Sequence, residues 1–356
     1  MNKEIDTISF QKAIADTSEG SRSVLLGNGF SQSIWPKLSY QKLYEQSIST
    51  TDEWISCPSD NLQKLFETLD THDFEKVISY LNNTITVIEC YPAEQPLKNR
   101  LISDKNNLID SFVHALQQVH PEYRKEIENN SNPINNFLAH FSSIFTLNYD
   151  LLLYWLINYD GGVLADLTGF RSITDKYDDG FTYHREFGNI WTSQPKKDRK
   201  PQNTHYLHGS LFINEESGMV LKTKHNSEND ERILPQLKKK LMDGKNPLIV
   251  LEGTSETKLR KIDSNGYLTH CLDSLKKIDG SIFTFGFSFN QYADQHITDA
   301  IQQSNVKNIY LGYYSDSDKE HFRKYVANHL SQKTELDRNI SLFDVREVTT
   351  WEPVKN

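Results

Sequence analysis

Val24-Leu25-Leu26 is a short apolar run that ends in Gly27-Asn28-Gly29-Phe30-Ser31, and this junction constrains the fold more than any other stretch. A buried strand that stops at two glycines one residue apart can bring backbone N–H groups close to a pyrophosphate, because no Cβ intervenes and a positive φ costs little. The same letters also fit an ordinary tight turn, since the third glycine of the dinucleotide fingerprint is missing. The choice between the two depends on whether other strands end in a similar way.

Several do. Phe141 to Leu147 is a second strand-like run, and it leads into Asn148-Tyr149-Asp150 and then the apolar Leu151–Leu156 of a buried helix. Tyr206-Leu207 precedes His208-Gly209-Ser210, Pro247–Leu251 precedes Glu252-Gly253, Ser281–Phe285 precedes Gly286-Phe287-Ser288-Phe289-Asn290, and Asn308–Leu311 precedes Gly312. Helical patterns lie between them, at Tyr40–Ser49, Glu256–Arg260, Leu268–Lys277, His296–Ile301 and Asp318–Leu330, with a short one at Ile8–Asp16 before the first strand. Four or five strands alternating with helices predict an α/β chain with a Rossmann-like parallel sheet covered by helices on both faces. Ligands of such sheets bind outside the carboxyl ends of the strands.

The pattern changes from Asp52 to Leu138. Leu62, Leu65, Phe66 and Leu69, then Phe74, Val77, Ile78 and Leu81, then Leu108, Phe112, Leu116 and Val119 recur at helical spacing, and plain helix packing explains such stripes. The expected organisation is a nucleotide-binding domain at 1–50 and 139–356 with a helical insertion at 51–138. Asp160 to Thr204 carries glycines, aromatics and charges with little period, which suggests irregular structure around a site or a partner surface.

Charge and cysteine content exclude several functions. Across 356 residues, 39 basic and 48 acidic side chains give a formal charge of -9, which disfavours binding to nucleic-acid phosphates or an anionic membrane and leaves a local basic patch as the alternative. Lys196-Lys197-Asp198-Arg199-Lys200 sits beside prolines and reads as a solvated loop. Cys57, Cys90 and Cys271 are far apart with no C-x-x-C, which argues against a disulfide framework or a structural zinc module and fits a reducing cytoplasm. The first residues lack a signal-peptide pattern, and no apolar stretch nears the roughly 20 residues that span a bilayer. Among the twelve histidines no H-x-x-x-H or H-E-x-x-H spacing occurs, so no catalytic metal is implied.

The order of the four clusters Gly27-Asn28-Gly29-Phe30-Ser31, Thr146-Leu147-Asn148-Tyr149-Asp150, His208-Gly209-Ser210 and Gly286-Phe287-Ser288-Phe289-Asn290 resembles the sirtuin family. There a G-A-G-x-S turn holds the NAD pyrophosphate, T-Q-N-x-D lines the nicotinamide and ribose end, H-G supplies the catalytic histidine, and a later G-x-S contacts the adenosine side. Sirtuin deacetylases also carry P-D-F-R after the glycine turn and a four-cysteine zinc module; here Ile34-Trp35-Pro36-Lys37 follows and no cysteine pair exists. The chain looks closer to the zinc-lacking bacterial sirtuin-like proteins of anti-phage defence, which hydrolyse NAD. The resemblance implies an NAD glycohydrolase that acts as an oligomer or with a HerA-type ATPase partner. The alternatives are an ADP-ribosyl transferase, a deacylase, or a non-catalytic subunit that binds NAD or ADP-ribose.

Carried over residue by residue, the resemblance makes Asn148 the group that orients water or a ribose hydroxyl. His208 becomes the base, with an unperturbed pKa suited to neutrality. Gly27, Asn28, Gly29 and Ser31 would hold the pyrophosphate, Asp150 would order the loop, and Gly286, Ser288 and Asn290 would face the adenosine side. Each has a plainer alternative. His208 could be a hydrogen-bonded core histidine, Asp150 and Asn290 could cap helices, and Ser288 could end a strand.

Overall fold

The computed structural model of the chain describes residues 5–49, 57–91, 94–158, 176–193, 201–224, 233–251, 253–331 and 338–348. Its strands are β1 (Arg22–Leu26), β2 (Ser143–Thr146), β3 (Phe181–His184), β4 (Gly188–Trp191), β5 (Thr204–Tyr206), β6 (Gly209–Glu216), β7 (Met219–Lys222), β8 (Pro247–Ile249), β9 (Asp279–Phe285), β10 (Asn305–Tyr313) and β11 (Asn339–Asp344). Six of them form a sheet in the order β11-β10-β9-β1-β2-β5, and every pairing in it is parallel. Helices cover both faces, so central strands such as β1 and β9 read as nearly unbroken apolar runs rather than alternating ones. This is the expected Rossmann-like fold.

The strand order opens a crevice at the carboxyl edge of the sheet. From β1 the chain winds outward through β2 to β5, then returns to the other side of β1 and winds outward again through β9, β10 and β11. Winding reverses between β1 and β9, and at such a switch point the loops leaving the two strands diverge and open a crevice. Here the chain leaves β1 at Gly27, directly into the helix Asn28–Ile34, and leaves β9 through Gly286–Asn290.

Two expectations about strands are corrected. Pro247–Ile249 does not join the parallel sheet; it pairs antiparallel with β6 in a second sheet of order β3-β4-β7-β6-β8. The stretch read as irregular from 160 to 204 supplies β3 and β4 of that sheet, two strands of four residues each whose exposure does not alternate. Its remaining parts at 159–175 and 194–200, with the basic run Lys196–Lys200, lie outside the described residues, as does Glu252. The second sheet grows directly from the first at Gly209. That residue has φ +73, and a Cβ there would lie 1.9 Å from Leu248 O, so only glycine lets the chain turn from β5 past His208 into β6.

Helices fill the sequence between β1 and β2. Phe74–Ile88 packs on Gln95–Val119, and so does Tyr40–Ser49, the helix expected to stay with the sheet domain. Phe66, Phe74, Phe112 and Tyr149 form a chain of ring contacts with centroids 5.2, 5.2 and 5.7 Å apart, which joins this helical layer to the loop after β2. The layer therefore lies over the carboxyl edge of the sheet. No helix among the described residues is long and apolar enough to cross a membrane, and all three cysteines are free thiols.

Candidate active site

The turns after β1 and β9 press backbone against backbone. Gly27 N donates to Phe285 O at 2.9 Å and Gly29 N to Gly286 O at 3.1 Å. An added Cβ would stand 2.4 Å from Gly286 O at Gly27, 2.7 Å from Gly286 Cα at Gly29, and 2.3 Å from Phe30 N at Gly286, whose φ is +69. These glycines serve the contact between the two turns before they serve any ligand. With the Gly29 and Phe30 amides spent inside the turn, Asn28 is left as the helix-start residue whose N–H has no partner among the described residues.

Behind the turn, three predicted residues bond to one another. Asn148 Nδ2 donates to Gly27 O at 3.0 Å and to Ser31 Oγ at 2.7 Å, and Ser31 Oγ donates to Asp150 Oδ2 at 2.6 Å. Asp150 Oδ1 also accepts from Leu152 N at 2.8 Å, at the start of the helix Leu152–Ile157. Burial pushes the Asp150 carboxyl up in pKa, against these bonds. Both amide hydrogens of Asn148 are used by the protein, so the group it can offer a ligand is its side-chain oxygen, an acceptor.

His208 follows β5 and is buried against a second imidazole. Its Nε2 lies 3.0 Å from His296 Nε2, His296 Nδ1 lies 3.0 Å from Ser255 Oγ, and the same hydroxyl accepts the His296 backbone N–H at 2.7 Å. Burial, then the nearby Lys258 and His296, hold His208 well below the ordinary imidazole range, and burial with Lys258 holds His296 at about 3. Burial thus makes this imidazole a weaker proton acceptor than its ordinary pKa suggests.

The helical layer and the helix Gln291–Gln303 supply carboxylates. Glu75 Oε1 accepts from Tyr40 OH at 3.1 Å and lies 3.1 Å from Tyr149 OH, while its Oε2 accepts from Lys258 Nζ. The same ammonium donates to Asp294 Oδ1 at 2.9 Å. Burial alone would lower Lys258, but Asp294 and Glu75 outweigh it and hold its pKa above the ordinary value. Asp73 caps the helix Phe74–Ile88, accepting from Glu75 N and Lys76 N, and burial followed by repulsion from Glu75 raises it to about 6.

These groups meet in one cavity of ≈ 140 Å³, lined by Gly27, Asn28, Asn148, Asp150, His208, Gly286, Ser288 and Asn290 from the sheet edge and by Tyr40, Asp73, Glu75, Phe112 and Asp294 among others. A second cavity of ≈ 670 Å³ lies beyond Gly29 toward the ends of β10 and β11, with Gly312, Tyr314, Val345 and Arg346 in its wall. Gly286, Phe287 and Ser288 line both.

A family model described as "Domain of unknown function (DUF4917)" matches residues 24–351. The chain belongs to the DUF4917 family. The matched span opens inside β1 and runs past β11, so it takes in both sheets and the helical layer. No curated protein matches the chain. Among solved structures, a chain from "Structural Basis for the Mechanism and Regulation of Sir2 Enzymes" is similar at 11% identity and a TM-score of 0.33, covering 90% of this chain and 97% of that one.

In this DUF4917 chain the fold brings most of the predicted residues to one place. Ser31 is the exception: it lines neither cavity, and its hydroxyl links Asn148 to Asp150. Gly29 faces the larger cavity only. Asn290 lines the smaller cavity only, not the larger one, and it caps the helix Gln291–Gln303 through Tyr292 N and Ala293 N. Sequence reasoning missed Tyr40, Asp73, Glu75, Lys258, Asp294 and His296. One sign was available, an Asp-Phe-Glu start to an apolar stripe, with a carboxylate inside the face that should be buried. The fold also gathers His208, Asp294 and His296, whose ligating atoms lie within 4.8 Å of one another. Two imidazoles and a carboxylate can hold a divalent ion, and no sequence spacing discloses the set. The Lys258 ammonium already bonds Asp294 Oδ1, which leaves Oδ2 as the oxygen open to an ion.

Proposed function

We propose that this chain hydrolyses NAD at the bond between nicotinamide and ribose, releasing nicotinamide and ADP-ribose. The observation that carries the reading is the convergence of the β1, β2, β5 and β9 loops on one cavity at the winding switch point, with Asn148 and His208 both in its wall. The nicotinamide ribose would enter that smaller cavity, and the adenosine would extend across Gly286–Ser288 into the larger one.

In this scheme the C1′–N bond breaks first, its electron pair neutralising the pyridinium nitrogen and leaving an oxocarbenium-like ribose. The Asn148 side-chain oxygen holds a ribose hydroxyl or the incoming water. Water oxygen then bonds to C1′ and its proton passes to His208 and on to solvent. For His208 to accept it, the ring nitrogen not engaged with His296 must be bare, so its Nε2 carries the hydrogen donated to His296. A weak base suits this order of events, because water bonding to a nearly free cation becomes strongly acidic. In a cell, such turnover would deplete NAD, which agrees with the anti-phage branch that the motif order resembles.

Purified protein incubated with NAD and analysed for products tests the reading. Free ADP-ribose and nicotinamide in equal amounts are expected. ADP-ribose found only on a protein or other acceptor, or intact NAD in a protein that fails to bind it, would overturn it.

A further inference from the structure

The charges around the smaller cavity are unbalanced. Among the described residues, four carboxyl side chains, Asp73, Glu75, Asp150 and Asp294, line it, and no lysine or arginine does. The ammonium of Lys258, behind the wall, is shared between two of them, Glu75 and Asp294. An acidic wall repels a pyrophosphate, so it has no use toward that part of a dinucleotide; it suits a ligand atom that carries or develops positive charge. We infer that Glu75, delivered by the helical layer, is the catalytic anion of this site. With Asp294 and Asp73 it recognises the pyridinium charge of the bound nucleotide and stabilises the ribosyl cation as the glycosidic bond lengthens.

The geometry around Glu75 fits that role. Its carboxylate is held at Oε1 by the Tyr40 hydroxyl and at Oε2 by Lys258, while the Tyr149 hydroxyl, which donates to Val250 O at 2.7 Å, lies beside Oε1. Donors and charges fixed before the reaction need no reorganisation when the cation forms, which is the condition for large electrostatic catalysis. Lys258 is a positioning residue: it keeps two carboxylates together that would otherwise repel, and leaves the group anionic overall.

This inference rests on the NAD reading, and binding measurements separate the two. ADP-ribose, which lacks the pyridinium, serves as the control ligand beside NAD and its uncharged-ring reduced form. The wild-type protein should bind NAD at least about tenfold more tightly than the reduced form. Glu75→Gln should abolish that preference, leave ADP-ribose affinity within about twofold, and lower turnover by about 100-fold or more. Asp73→Asn, which keeps the helix cap because asparagine caps as well as aspartate, should reduce preference and turnover by smaller factors without lowering melting. A wild-type protein that binds the oxidised and reduced forms equally refutes the acidic selector and leaves the NAD reading standing. So does a Glu75→Gln protein whose loss of turnover follows only its folded fraction. Failure to bind either dinucleotide or ADP-ribose overturns both.

Discussion

The sheet edge and the helical layer over it contribute to the cavity in opposite ways. At the sheet edge the conspicuous motif residues are largely occupied with the protein itself: Gly27 and Gly29 brace Gly286, and Ser31 and Asp150 hold Asn148. The helical layer, whose stripes read as plain packing, brings Tyr40, Asp73 and Glu75 to the cavity. A motif thus marks where backbone geometry is demanding, whereas the charge that chemistry needs can come from a helix with no motif at all.

Acid is the strongest way to set the two regions against each other. His205, His208 and His296 are buried with lowered pKa values, His205 and His296 at about 3, and burial is the main cause for each. Unfolded, each takes up a proton below its ordinary value of about 6.5, so the stability tied to its neutral burial is complete above that pH. It is lost as pH falls toward the folded value, by up to about 1.4 kcal/mol per pH unit per ring. Asp73 has the opposite sign. Raised to about 6, it binds its proton in the folded state first, so its contribution is full below its ordinary value near 3.8 and is lost as pH rises through about 6. Asp150 and Asp110, also raised by burial, share the sign of Asp73, but the lowered imidazoles outnumber the three carboxyls, because His120, lowered to about 4, and His140 and His270 join the three rings. Melting temperature should therefore fall steeply between pH 7 and pH 5; a flat profile would mean that these rings are not buried neutral.

Lys258→Met probes the helical layer next. It leaves Glu75 and Asp294 with no cation in a buried site, a change that costs about 3–5 kcal/mol. Thermal or urea unfolding measures it, and a loss below about 1 kcal/mol would show that the triad is solvated. Gly27→Ala probes the sheet edge with a smaller expected cost of about 1–3 kcal/mol, because its Cβ would meet Gly286 O at 2.4 Å and one loop must shift. If the variant instead melts like the parent and loses only ADP-ribose affinity, the turn is a ligand cradle rather than a brace.

The sheet was legible in the sequence because its strands are short apolar runs with abrupt polar ends. The ordered clusters at those ends bring Asn148, His208 and Gly286 to the wall of one cavity. β11 was not foreseen, and β8 was assigned to the wrong sheet, because an apolar run such as Pro247–Ile249 carries no information about the direction of its neighbour. The partners of His208 were hidden for a different reason. His296, Ser255 and Lys258 lie on helices far along the chain, and a buried lysine has the same letters as a solvated one until the fold places carboxylates beside it.

The central claim, that this cavity cleaves NAD with His208 as proton acceptor, is tested most directly by His208→Ala, with melting, ADP-ribose binding and nicotinamide release measured on one preparation. The account predicts a folded protein that still binds ADP-ribose and releases no nicotinamide. A folded His208→Ala protein that cleaves NAD at the parental rate would contradict it.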